Sequence, residues 1–156
     1  MHEYEHTQPG TFMRAMTGLW VVIFVVGSVV MLALGGQEVA GAVIPGIVML
    51  AVFTAIIVAL FHSLTVRISP SDIAISFGVG LIRKRFPIGD IRSVRIARNR
   101  WYNGWGIRKI RGGWLYNVSG FDAIEIQLKN ERKYRIGTDQ PKKLLAAVES
   151  ALAGPS

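Results

Sequence analysis

Between Ala15 and Val66 the chain carries one acidic side chain and no Lys or Arg: Glu38 stands in a short GGQE break between runs of 23 and 28 residues without a formal charge. A helix rises about 1.5 Å per residue and the hydrocarbon core of a bilayer is about 30 Å thick, so roughly 20 apolar residues cross it. Each run is long enough to span. From Leu19 to Leu34 only Gly27 and Ser28 interrupt Trp, Val, Ile, Phe, Met, Ala and Leu, leaving no polar face of the kind a buried soluble helix keeps. A cleavable signal peptide has a shorter apolar region and no second run directly after it. The expectation is a retained transmembrane hairpin at 15–66, with helices over about 15–36 and 40–63.

Charge orients this hairpin. Up to Val66 the chain has one basic residue, Arg14, against Glu3, Glu5 and Glu38; from Arg67 onward it has 17 Lys and Arg against seven acids. The positive-inside rule then places both termini and the C-terminal segment in the cytoplasm, with Glu38 outside. The chain has no cysteine, which excludes disulfides, thiolate chemistry and Cys-ligated zinc.

Residues 1–14 read as a polar N-terminal tail. His2 and His6 lie in it without the further ligands a metal site needs. Gly35 and Gly36 suit a tight reversal, and Pro45 falls near the start of the second helix, where its missing N–H is tolerated. Ala51, Ala55 and Ala59 form a small-residue stripe that admits a neighbouring helix, either the first span or a helix from another chain. His62, near the cytoplasmic end, has no acidic residue within either run to relay a proton, so it reads as an interfacial anchor.

After the membrane the periodicity changes. Apolar residues alternate at Leu64, Val66 and Ile68, at Ile73, Ile75 and Phe77, at Ile82 to Phe86, at Val94 and Ile96, at Ile124 to Leu128, and at Tyr134 and Ile136. These are half-buried antiparallel strands, begun with almost no linker after the second helix. Gly78 and Gly80 mark a turn. Thr138 or Asp139 can cap a final helix with Pro141 in its first turn; Leu144, Leu145, Val148 and Leu152 make its apolar stripe. The expected fold is a membrane α-helical hairpin followed, over 64–156, by a mainly-β barrel or sandwich closed by a C-terminal helix.

The FPIGDIRSVRI segment, together with two transmembrane helices, strands and a closing helix, resembles bacterial membrane proteins that carry a pleckstrin-homology-like domain. The segments WYNGWGIRKI, GWLYNVSGFDAIEIQL and YRIGTDQPKKLLAAV resemble a group of small bacterial membrane proteins of this build. The likeness covers most of Leu64 to Leu152. It implies a pleckstrin-homology-like fold in the bacterial cytoplasmic membrane, and lipid binding, protein docking or assembly as the range of functions. It transfers no catalytic motif.

Function concentrates in one basic, aromatic stretch. Arg83, Lys84, Arg85, Arg92, Arg95, Arg98, Arg100, Arg108, Lys109 and Arg111 face a single acid, Asp90, with Trp101, Tyr102, Trp105, Trp114 and Tyr116 among or just after them. Arginine pairs with phosphate and tryptophan favours the headgroup level, which suits anionic lipid. The glycine-rich WYNGWGIRKIRGGWLYN also reads as a projecting loop with aromatic anchors for a protein partner. Two readings stay open: an accessory subunit or scaffold that docks a membrane protein complex or another copy of itself, and an autonomous anionic-lipid module. Nucleic-acid binding is disfavoured by the membrane anchor and the lack of a recognition helix or RNA-binding motif. The scattered Asp90, Asp122, Glu125 and Asp139, with no histidine beyond His62, argue against an enzyme. No cofactor or metal is expected.

Overall fold

The computed structural model describes residues 4–154. His2, Glu3 and the side chain of Glu38 lie outside the described residues. Helix runs unbroken from Thr11 to Phe61, a length that would be about 76 Å if straight. Its two ends nevertheless meet, for the Gly10 N–H donates to the His62 carbonyl at 2.7 Å. The chain therefore reverses between two spans, α1 (Thr11–Gly35) and α2 (Val43–Phe61), each long and apolar enough to cross a membrane. The backbone stays helical through the reversal instead of opening into a glycine turn.

The spans meet through Gly46 on α2, where an added Cβ would stand 3.7 Å from the Phe24 ring, and through Leu50, Thr54 and Ile57, which share a groove with Thr17 and Phe24. Ala51 and Ala55 are exposed. They lie about 100° around the helix from Leu50 and Thr54, so that part of the alanine stripe does not face α1. Ala59 is half-buried beside the β domain, and its carbonyl accepts the Val79 N–H at 3.1 Å.

Among the described residues, nine strands form two sheets. The first has the order β1–β2–β3–β4 and comprises β1 (Tyr4–Pro9), β2 (Ser63–Ile68), β3 (Asp72–Phe77) and β4 (Ile82–Pro87). The second has the order β5–β8–β9–β7–β6 and comprises β5 (Ile91–Arg98), β6 (Gly106–Ile110), β7 (Gly113–Asn117), β8 (Asp122–Leu128) and β9 (Lys133–Gly137). Helix α3 (Pro141–Ala153) packs on β5 and β8. Leu64, Ile73, Ile75, Phe77, Phe86, Ile124, Ile126 and Ile136 fill the space between the sheets, and α3 adds Leu144 and Val148. Every segment read as a strand from alternation is a strand, and Pro141 opens the final helix as expected. The architecture is a helical hairpin set between the first two strands of a two-sheet β domain with a packed C-terminal helix.

Neither Thr138 nor Asp139 caps α3, whose N-cap is Gln140 with no side-chain hydrogen bond, and two larger expectations need correction. Residues 4–9, read as solvated tail, are strand β1, paired antiparallel with β2 from Tyr4 opposite Ile68 to Pro9 opposite Ser63. It is an edge strand with polar side chains, held by features apolar alternation does not report: the Gln8 amide donates to the Ser119 carbonyl at 3.0 Å, and Thr7 and Thr65 hydroxyls lie 2.8 Å apart. The WYNGWGIRKIRGGWLYN stretch is not one projecting loop. Its second half is the β6–β7 hairpin, added to β9 through a parallel β7–β9 pairing. Glycine permits this closeness, since a Cβ at Gly113 would collide with the Lys133 carbonyl.

Candidate functional site

The basic and aromatic residues are distributed over two ends of the β domain, and the join to the membrane hairpin distinguishes them. At the hairpin end, Gly78 donates to the Ser63 carbonyl at 2.9 Å, seating the β3–β4 turn on the end of α2 beside the Val79–Ala59 bond. Gly78 has φ +49, and a Cβ there would collide with the Ala59 carbonyl. On the other side, Trp105 stacks on Phe12 in the first turn of α1 at 3.5 Å between ring centroids, with Phe121 at 5.9 Å from Trp105. The Thr11 and Ser119 hydroxyls lie 2.8 Å apart. At the end of α2, His62 places Nδ1 3.2 Å from the Val58 and Ala59 carbonyls. A carbonyl only accepts, so Nδ1 carries the proton.

Exposed apolar side chains gather on the turns at this end. Among the described residues of the β domain, seven large hydrophobic side chains are exposed: Val79, Leu81, Ile96, Trp101, Tyr102, Trp114 and Phe121. Five of them, all but Ile96 and Trp114, lie on the turns at the hairpin end, with Leu81 and Trp101 exposed to 77% and 76%. Trp101 and Tyr102 occupy a 3-10 turn, Trp101–Asn103, with their rings edge to face at 6.0 Å.

Arginines border these residues. Arg83 donates to the Gly80 carbonyl at 2.5 Å, Arg100 to the Tyr102 hydroxyl at 2.8 Å, and Arg108 to the Trp105 carbonyl at 3.2 Å. Arg98 ends β5 opposite Asp122 in register. None of these four guanidinium groups forms an ion pair among the described residues, so their charge is available to an outside anion.

The other sequence-predicted residues lie elsewhere. Lys84 and Arg85 run away from the hairpin along β4, with Arg85 at 3.8 Å from Asp72. Arg95 is engaged in the sheet: it reaches one Glu125 oxygen at 2.5 Å while Arg135 holds the other at 2.7 Å. Burial pushes the Glu125 carboxyl up, but hydrogen bonds from Arg135 and Arg95, with their charges, outweigh it and leave the group below the ordinary carboxylate range. Lys109, Arg111 and Trp114 stand at the far turn of β6–β7, where Lys109 and Trp114 border a cavity of about 250 Å³ with Arg132 and Tyr134. Tyr116 belongs to the core.

Val79, Leu81, Phe121 and Arg132 were not singled out from sequence. The first two had a visible signal: apolar residues inside the glycine turn GVGL have no core to enter. Phe121 and Arg132 had none, because their roles depend on which turns the fold brings together. Among the described residues there is no cluster of three or more His, Asp or Glu that could hold a metal. No protein-family model matches the chain, and neither the curated proteins nor the solved structures contain a match.

Proposed function

We propose that the chain is a non-enzymatic, membrane-anchored accessory module of the bacterial cytoplasmic membrane. Its pleckstrin-homology-like domain faces the cytoplasm, rests its hairpin end on anionic lipid, and leaves its far end open to a protein partner. The concentration of exposed apolar side chains at the end fastened to the two spans carries this reading. Tryptophan and tyrosine favour the headgroup level, and basic residues near an anionic surface contribute about 1 kcal/mol each. Two spans already supply affinity, so the rim fixes how the domain sits and which headgroups it meets. The charge excess after Arg67 supports the cytoplasmic side. Autonomous lipid sensing is the second reading, favoured by the four unpaired arginines among the aromatic residues.

The test uses full-length protein in lipid nanodiscs, with single-tryptophan variants and lipids brominated near the headgroup. Trp101 as the sole tryptophan is expected to be strongly quenched, and Trp114 as the sole tryptophan to be spared. Replacing Arg83, Arg98, Arg100 and Arg108 by Gln should remove the extra quenching that anionic lipid gives over neutral lipid. Equal quenching at positions 101 and 114 would overturn the orientation.

A further inference from the structure

We infer that the free edge of β6, with the cavity at its far end, takes an extended acidic segment of a partner protein. This rests on the proposed reading that the far end of the domain is the docking end, and it specifies the chemistry of the partner. Strand β6 closes the five-stranded sheet and, among the described residues, pairs only with β7. Its other side presents backbone donors and acceptors that an added strand can use.

The side chains of that edge select its partner by charge. Lys109 is exposed on β6, and Arg111 follows in the turn, both toward the end away from the hairpin. Edge lysines and arginines prevent a sheet from pairing with its own kind. A second copy aligned on β6 would bring the same cations into opposition, whereas an acidic strand would be attracted.

The cavity gives a side chain of that strand a place to seat. In register, Lys109 stands opposite Trp114, which stands opposite Tyr134, and these share the face of the sheet that carries Ile126 into the core. The cavity of about 250 Å³ lies where the core stops, with Arg132 beside Lys109 and the two aromatic rings. Drug-sized ligands occupy roughly 300–1,000 Å³, so this space suits one or two side chains. Lys109, Arg111 and Arg132 form no ion pair among the described residues. The acid next to Arg132 in sequence, Glu131, is already engaged by Arg92 and Gln127. A carboxylate from outside is the missing counter-charge.

Lipid headgroups are poorly placed to supply it. Strand β7 carries the chain from the far turn back to the hairpin end over about 15 Å, beyond the screening length of about 8 Å at physiological salt.

The experiment measures binding of a fluorescent eight-residue peptide of alternating Glu and Val to full-length protein in neutral-lipid nanodiscs. Saturable binding is expected, at least tenfold tighter than for the peptide with Lys in place of Glu. The Lys109→Glu, Arg132→Glu double variant should weaken it at least tenfold, as should N-methylation of the peptide along one backbone edge, which needs no change to the protein. Equal binding of the N-methylated peptide, or no loss in the double variant, would overturn the inference. So would displacement by inorganic phosphate or by anionic vesicles at concentrations that leave Trp101 quenching intact. Trp101 quenching in the same samples reports the lipid rim separately, so the two readings fail independently.

Discussion

Glu125 shows how a residue in the basic sector can serve the fold instead of the surface. It lies in mid-β8 with Arg95 and Arg135 opposite it on the two flanking strands, and it is 4% exposed. A carboxylate so enclosed is tolerated only because both oxygens are bound by guanidinium groups. Its folded pKa lies below its unfolded value of about 4.3, so it stabilises the fold above that value and loses the contribution as pH falls through the lower, folded one. Glu125→Gln should therefore lower stability by about 1–3 kcal/mol at pH 7, and the gap to the wild type should narrow below about pH 4. Urea unfolding followed by circular dichroism across that range checks it, and a constant gap would contradict the assignment. Arg95 looked from sequence like a lipid ligand. Two of its hydrogen bonds are spent on this pair, so its replacement should affect stability more than lipid contact.

At the scale of elements, legibility followed burial. Strands β2 and β3 alternate because one face meets the core, and α3 declares itself through Pro141 and the spacing of Leu144 and Val148. Strand β1 left no such mark: in YEHTQP the one buried side chain is Gln8, and the pairing belongs to the edge. The β6–β7 hairpin was hidden by its glycines, which lower strand propensity in any local reading. In the fold, the same residues admit a parallel neighbour too close for a side chain. The candidate site was legible as composition and not as geometry, since alternation does not tell which end of a strand lies beside the membrane. Gly113→Ala should cost about 1–3 kcal/mol through overpacking against the Lys133 carbonyl. Amide exchange is expected to quicken in β6 and β7 while β2 and β3 keep their protection; uniform loss would mean the hairpin is integral to the whole core.

For the whole molecule, the membrane hairpin is an insertion between two neighbouring strands of one sheet. β1 leads into α1, α2 returns into β2, and β1 and β2 pair along their full lengths. The hydrogen bond between Gly10 and His62 closes this junction, where a Cβ on Gly10 would stand 2.5 Å from the Phe61 carbonyl oxygen. The β domain is thus assembled from both sides of the membrane segment, and severing it after α2 would remove one edge of the first sheet. That edge is also tied to the second sheet and to the approach to α3, by Gln8 to Ser119 and by His6 Nε2 at 2.5 Å from Asp139. Replacing residues 11–61 with a linker of about three to five glycines and serines, the length of an ordinary hairpin loop, should give a water-soluble, cooperatively folding domain. Residues 64–154 alone should be less stable and prone to associate, because β2 becomes an exposed edge with unpaired backbone groups. Size-exclusion chromatography and thermal unfolding of the two chains decide the matter. Equal stability would mean that β1 only decorates the sheet; a deficit confined to the shorter chain would make the N-terminal strand the element that holds the domain rigidly to its membrane anchor.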